Sequence, residues 1–485
     1  MKYVNERLEE YKAYIKGKSA SVIGLGISNA PLVKFLLDSQ VKVTARDIKS
    51  LDEIKKAGLL DVDYCIERGV KFITGENYLC DIEDDIVYKS PGIRFDHPEI
   101  LKAVNRGAVI TSEMEAFISL CPSKIIAVTG SDGKTTTTTL TAKLLEASGK
   151  RVWLGGNIGT PLLCEIENIR PDDFTVLELS SFQLHTVNKF KNETLPFAHL
   201  EFPDVAIITN ISPNHLNWHT DMEEYTDSKC AVYKYMKKGS LLVTNKECEI
   251  TDKISKDARL RGQSTRMFSH TEHTDICQKD GYICVAGKKV LKISDIAIPG
   301  KHNVENYMAA IGATYDFVTL EAVNTVAKSF CGVKHRFELV KTGKNGVKFY
   351  NSSIDSSPTR TLAALSNLSC DCNGKIILIL GGKDKGLDFK KLGETVCEKV
   401  KAALIYQDTP ERKIENSIRG CKDFDSEKMH LEVLCGFDRT VARAMELAKD
   451  GDIVLLSPAC TSFGEFNNFE ERGRRFCELV AEYSK

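Results

Sequence analysis

This chain lacks a long apolar run and an excess of either charge. No stretch of its 485 residues has the length and hydrophobicity of a membrane-spanning helix. Lys and Arg number 66 against 67 Asp and Glu, a net charge of −1. The first shortage argues against membrane insertion, and the second against nucleic acid as a partner, since that needs a basic face. The 16 cysteines form no CxxC pair, Cys370-Asp-Cys372 being the nearest approach, so neither a zinc knuckle nor a disulfide framework is written here. They read as reduced thiols of a cytoplasmic protein, most of them core filling. The opening segment MKYVNERLEEYKAYIKGK is charged and amphipathic, unlike a signal peptide. There is no internal repeat, and the length predicts roughly two to four domains.

What is present is concentrated in Ile125–Thr139, IIAVTGSDGKTTTTT. An apolar strand runs into a turn with two glycines, then a lysine and hydroxyls that open a helix. Glycines let backbone N–H groups wrap phosphate oxygens, and the helix N-terminus adds partial positive charge. Lys134 reaches outer phosphates and the Thr135 hydroxyl suits Mg²⁺. Gly130, Ser131, Asp132, Gly133, Lys134, Thr135 and Thr136 are therefore the candidate triphosphate loop. It is shorter than the common form: Val128 stands where an earlier glycine would be.

Three blocks each begin with a strand feeding a glycine-bearing turn. In the first, Val22-Ile23, Gly24-Leu-Gly26, the helix Pro31–Leu37 and the strand Val41–Thr44 form a βαβ unit with a partial dinucleotide-type fingerprint. Asp47 falls where a ribose or base contact is expected. The strand Ile86–Lys89 leads into Ser90-Pro91-Gly92-Ile93, a turn that reads equally as structure or ligand loop. The second block holds the phosphate loop, the strand Phe174–Leu179 with Glu178 near its end, and Val205–Ile208 followed by Asn210–His215. Ligands collect at the carboxyl ends of parallel strands, so Glu178 and His215 are expected near the loop. The third block has strands at Lys375–Leu380, Ala402–Tyr406 and Asp452–Leu456, alternating with helices such as Arg439–Ala448. The expected architecture is α/β in three domains: a Rossmann-like N-terminal domain over 1–123, a central P-loop ATPase-type parallel-sheet domain over 124–333, and a Rossmann-like C-terminal domain over 334–485.

Over nearly its whole length the chain resembles the Mur ligases, the ATP-dependent amide-forming enzymes of peptidoglycan precursor synthesis. The motifs are TGSDGKTT, GGNIGTP (Gly155–Pro161), ELSSFQL (Glu178–Leu184), NISPNHLNWH (Asn210–His219), HNVENYMAA (His302–Ala310) and HRFE (His335–Glu338), in the family's order. The segment LLSPACTSFGEFNNFEERGRRF, Leu455–Phe476, is similar to the D-glutamate-adding members. The resemblance implies ATP, UDP-N-acetylmuramoyl-L-alanine and D-glutamate as substrates, Mg²⁺ at two sites, and a monomer. It implies that a substrate carboxylate is phosphorylated by ATP and then attacked by the incoming amine. Lys134, Glu178, His215 and Lys229 are then catalytic. Thr135, Glu178, His215 and Lys229 hold metal, with Lys229 carbamoylated. Asn303, His335 and Arg336 join the loop in binding ATP. Ser28, Asp47, Ser90, Gly92, Asn157 and Gln183 serve the UDP-sugar, and Ser356, Lys385, Ser462 and Phe469 the amino acid.

The chain departs from the pattern in two places. Asn214 and Asn217 replace aspartates beside His215. In FYNSSIDSSPTRT, Phe349–Thr361, Ser352 replaces the acidic residue expected at the ATP ribose, Ile354 a lysine, and Ser356 a threonine. Ribose binding then passes to Asp355 or to the backbone. The alternatives are a sister ligase with another acceptor, or a nucleotide- or UDP-sugar-binding protein without catalysis.

Overall fold

The computed structural model describes residues 3–189, 201–271, 274–343, 345–366, 368, 372, 374–384, 386–409 and 411–483. The chain forms two compact units: Met1–Ile293 with Glu305–Val326, and Ser294–Val304 with Ala327–Lys485.

The first unit contains two sheets. β1 (Ser19–Ile23), β2 (Lys42–Asp47), β3 (Lys71–Thr74), β4 (Ile86–Lys89) and β5 (Val109–Thr111) are all parallel, in the order β3-β2-β1-β4-β5. The chain order reverses between β1 and β4, which puts a crevice beyond their carboxyl ends. The second sheet has nine strands: β6 (Lys124–Thr129), β7 (Val152–Gly156), β8 (Phe174–Glu178), β9 (Val205–Ile208), β10 (Leu241–Asn245), β11 (Ser264–Ser269), β12 (Ile276–Lys279), β13 (Tyr282–Val285) and β14 (Lys288–Lys292). Their order is β14-β13-β12-β11-β10-β9-β6-β8-β7. The pairs from β7 to β12 are parallel. The last two pairs are antiparallel, an addition to the all-parallel expectation for this domain. β14 ends the sheet with lysines at three of its five positions, KKVLK. Central strands such as β9 are buried throughout, as doubly covered parallel strands require. One apolar core runs from Leu36 and Tyr88 beside the first sheet to Ile125, Leu177 and Tyr225 beside the second.

The second unit holds β15 (Glu338–Thr342), β16 (Lys348–Asn351), β17 (Ile376–Gly381), β18 (Val400–Ile405), β19 (His430–Val433) and β20 (Ile453–Ala459), ordered β15-β16-β20-β17-β18-β19. Only β15 is antiparallel. The apolar runs of β17 and β20 are fully buried at its centre. Among the described residues, no helix is long and apolar enough to cross a membrane.

Candidate active site

β6 lies between β8 and β9, and the chain leaves it through Gly130–Gly133 into the helix Lys134–Ala147. Gly133 has φ +77, and a Cβ there would meet Asn306 Oδ1 at 2.4 Å, so only glycine fits. Asn306 also accepts a hydrogen bond from Thr137 at 3.1 Å. In the HNVENYMAA motif Asn306 touches the loop, and Asn303 donates to the Pro299 carbonyl. The Ser131 N–H donates to the Asn210 carbonyl and the Asp132 N–H to Asn210 Oδ1. The Ser131 hydroxyl donates to the Ser212 carbonyl and lies 2.8 Å from the Tyr225 hydroxyl. Ser131 and Asp132 therefore tie the loop to the segment after β9. The N–H groups that open a helix such as Lys134–Ala147 have no carbonyl one turn earlier, which is the chemistry an anion can use.

Two lysines converge on this loop. Lys134 Nζ donates to the Gly130 and Ser131 carbonyls at 3.0 and 2.9 Å. Lys229, only 1% exposed, donates to the same Gly130 carbonyl at 2.7 Å. Burial holds the Lys229 amine well below the usual lysine range; the Lys134 charge adds to this, and the Asp132 and Glu178 carboxylates oppose it. Glu178, at the end of β8, is 2% exposed and accepts the Asn157 amide at 3.0 Å on Oε1. Among the described residues its buried Oε2 has no donor, which suits a cation. Gly156 allows this approach: at φ +96, its Cβ would lie 2.1 Å from the Glu178 carbonyl oxygen. Among the described residues no group of three His, Cys, Asp or Glu side chains is placed to hold a metal. A metal here would need Thr135 and a modified Lys229 alongside Glu178.

His215 follows β9 with φ +55, and its ring is 4.9 Å from that of Phe182. Its carbonyl accepts the N–H groups of Trp218 and His219, so the segment is a tight turn. Gln183 caps the helix Ser181–Lys189, its Oε1 accepting from the Ser180 N–H and hydroxyl at 3.0 Å. That capping box is legible in the Ser180-Ser-Phe-Gln183 spacing. Around the first sheet, Asp47 accepts the Leu25 N–H at 2.6 Å and the Lys49 N–H at 2.9 Å, fixing the turn after β1. Ser28 stands at the start of the helix Asn29–Asp38 without a side-chain cap bond. Ser90 donates its N–H to the Ile23 carbonyl, so the β1 and β4 loops meet at the crevice. Beside them a cavity of about 600 Å³ is lined by Tyr78, Gly92, Arg94, His97, Asn217 and Trp218.

In the second unit, His335 is buried at φ +63, and its Nδ1 accepts the Asn351 amide at 2.9 Å. Burial depresses its pKa. Ser352 accepts the Phe337 N–H at 3.1 Å, fixing the turn that carries His335 and Arg336. Asp355 is buried against the Ser457 hydroxyl at 2.8 Å, and burial raises it to about 6. Ser356 is half-buried in the loop before the helix Pro358–Ser366, Ser462 is buried after β20, and Phe469 opens the helix Phe469–Tyr483. Lys385 lies outside the described residues. The sequence reading missed Arg472, which is fully buried. It donates to Ser353, to the Tyr406 hydroxyl at 2.9 Å and to the Cys460 carbonyl, tying together the loops after β16, β18 and β20.

Three family models match in chain order: the Mur ligase MurD-like N-terminal domain over residues 18–112, the Mur ligase middle domain over 128–314, and the Mur ligase glutamate ligase domain over 335–460. A Clostridium perfringens protein named UDP-N-acetylmuramoylalanine–D-glutamate ligase is 45% identical over 476 residues, covering 97% of this chain and 98% of its own. One of the same name from Ruminiclostridium cellulolyticum is 43% identical over 485 residues, covering 98% and 99%. Among solved structures, a UDP-N-acetylmuramate–alanine ligase from Thermotoga maritima shares the fold at TM-score 0.57 and 18% identity, over 96% of this chain and all of that one. With relatives this similar over this much of their length, and with all three domain models in order, the chain belongs to the Mur ligase family.

Proposed function

We propose that this protein is an ATP-dependent ligase that adds D-glutamate to UDP-N-acetylmuramoyl-L-alanine through an acyl phosphate, a step of peptidoglycan precursor synthesis. The relatives' names support the substrates. The observation that carries the chemistry is the meeting of Lys134, Lys229 and the unpaired Glu178 oxygen at one phosphate loop.

The substrate carboxylate attacks the γ-phosphorus of ATP and ADP leaves. The amine of D-glutamate attacks the resulting acyl phosphate, and phosphate leaves as the amide forms. Positioning and charge complementarity supply most of such catalysis. Lys134 balances charge on the outer phosphates, and the loop N–H groups of Gly133–Thr136 cradle them. Thr135, Glu178, His215 and a carbamoylated Lys229 are the residues that would hold two Mg²⁺. When bound, Mg²⁺ neutralises phosphate charge and polarises the P–O bonds. A lysine reacts with CO₂ only as the neutral amine, and burial beside Lys134 favours that form. Asn303, His335 and Arg336 serve ATP. Ser28, Asp47, Ser90, Gly92, Asn157 and Gln183 serve the UDP-sugar, and Ser356, Lys385, Ser462 and Phe469 the glutamate. Such an enzyme works as a cytoplasmic monomer on small molecules.

The test is ADP release with UDP-N-acetylmuramoyl-L-alanine and Mg²⁺ across a panel of D- and L-amino acids. Release with D-glutamate alone is expected. Release with another amino acid would move the acceptor assignment, and none with any would overturn the ligase reading.

A further inference from the structure

Arg94 follows the Ser90–Ile93 turn of the first sheet and has five N–H donors, all of them used. Nε and Nη2 hold Asp96 at 2.8 Å each. Nη1 and Nη2 hold the two Glu224 oxygens at 3.1 and 3.0 Å, a bidentate pair. Nη1 also donates to the Trp218 carbonyl at 2.7 Å, and the guanidinium lies 5.0 Å from the Trp218 ring. Trp218 closes the circuit by donating its indole N–H to the Gly92 carbonyl at 3.0 Å. Glu224 sits in the first turn of the helix Met222–Lys234, which carries Tyr225 and Lys229. It also accepts the Thr220 N–H at 2.9 Å. Buried His185 and His219 stand 3.3 and 3.5 Å from its oxygens, and His219 is bonded in turn to Ser181 at 2.9 Å. One ion pair between residues 130 positions apart thus joins three pieces: the Ser90–Asp96 loop, the His215–Thr220 turn, and the start of the Lys229 helix.

We propose that Arg94 and Glu224 are positioning residues that set the UDP-sugar loop at Gly92 in register with His215 and Lys229. This rests on the ligase reading above. The pair reaches no reacting atom in that scheme; it acts through the backbone of Gly92 and Trp218. An ion pair that merely glued two loops would add stability and leave turnover alone. A register device fails differently: the UDP-sugar's reacting end is misplaced against His215 and Lys229. Misplacement by about 1 Å can cost on the order of a hundredfold in rate.

The experiment compares the full-length protein with Glu224→Gln, Arg94→Gln, the double variant and Arg94→Lys. Turnover is titrated separately in UDP-N-acetylmuramoyl-L-alanine and in ATP, thermal midpoints are recorded, and UDP-substrate affinity is measured by calorimetry without ATP. Each single Gln variant is expected to lose about tenfold or more in kcat. Its UDP-substrate affinity should weaken several-fold, more than KM for ATP rises, and the thermal midpoint should fall in each Gln variant without predicting the size of the kcat loss. The double variant should be no worse than either single, and Arg94→Lys should recover part of the loss. Unchanged kcat and affinity in both singles would overturn the proposal, as would losses that multiply in the double variant or a KM for ATP that rises as much as UDP-substrate affinity falls. If the wild type shows no turnover, the ligase reading fails separately. Calorimetry then decides the pair: weaker UDP-substrate binding in Glu224→Gln keeps it, and unaltered binding overturns it.

Discussion

Removing the Lys134 charge should change the chemistry of Lys229, and the geometry fixes by how much. Both ammonium groups bond the Gly130 carbonyl oxygen, at 3.0 and 2.7 Å. Their nitrogens can be no farther apart than those two lengths end to end, about 5.7 Å, so at an effective dielectric of about 20 two positive charges repel by at least about 3 kcal/mol. That is about a hundredfold in the ratio of neutral to charged amine at Lys229. Burial contributes more, and persists in any Lys134 variant. In Lys134→Met the amine should hold its proton to higher pH, and carbamate formation should move upward with it. Lys134→Arg, which keeps the charge, should not move. The assay is the carbamate resonance in ¹³C NMR with labelled bicarbonate, followed against pH; it does not depend on turnover, which Lys134→Met will abolish. The same pH midpoint in Lys134→Met and wild type would refute the electrostatic reasoning. No carbamate signal in the wild type at any pH would remove the modification itself.

Three further outcomes follow from packing and charge. Gly156→Ala drives a Cβ to 2.1 Å from the Glu178 carbonyl oxygen at φ +96; it should cost about 2–4 kcal/mol in urea unfolding and abolish ADP release. Burial holds His219 down to about 4 from 6.5. Between those values the unfolded chain binds the extra proton, so stability falls as pH falls, by about 2 kcal/mol at pH 5 relative to neutrality. His219→Phe should flatten that part of the urea-midpoint profile. Arg472→Met strips donors from Ser353, Tyr406 and Cys460 at a site with no solvent to replace them; a loss of about 3 kcal/mol in the second unit, read by chemical denaturation, is expected.

The parts visible in the sequence are those written in contiguous residues. Ile86–Lys89 and Val205–Ile208 are strands with the bounds their apolar runs suggest. The glycines and lysine of the phosphate loop announce it because no other residues allow that turn. The hairpins over β12–β14 went unread although their turns are written: Asp280-Gly281 and Ala286-Gly287 are two-residue loops at positive φ, and Asp-Gly is a strong hairpin signal, while the flanking strands ICQK and KKVLK are short and lysine-bearing. Long-range pairing is hidden because nothing local marks it: Arg94 and Glu224 lie far apart in the chain, and Arg472 is one of three arginines in a polar helix start. Only the fold reveals that Arg472 is fully buried. Asn306 is not singled out in the sequence; only the fold sets it against Gly133.

The lysines of β14 bear on how crowded a solution of this protein can become. A sheet of nine strands ends in an edge whose backbone groups invite another strand, and two copies meeting there would build a continuous ribbon. Lys288, Lys289 and Lys292 place three positive charges along five residues of that edge. An antiparallel approach by a second copy would set lysine rows against each other. The lysine row guards the central sheet against self-assembly, on the side away from the phosphate loop. Replacing those lysines with threonine would leave the catalytic machinery in place and make the protein prone to pair edge to edge as a closed dimer, read by light scattering against concentration.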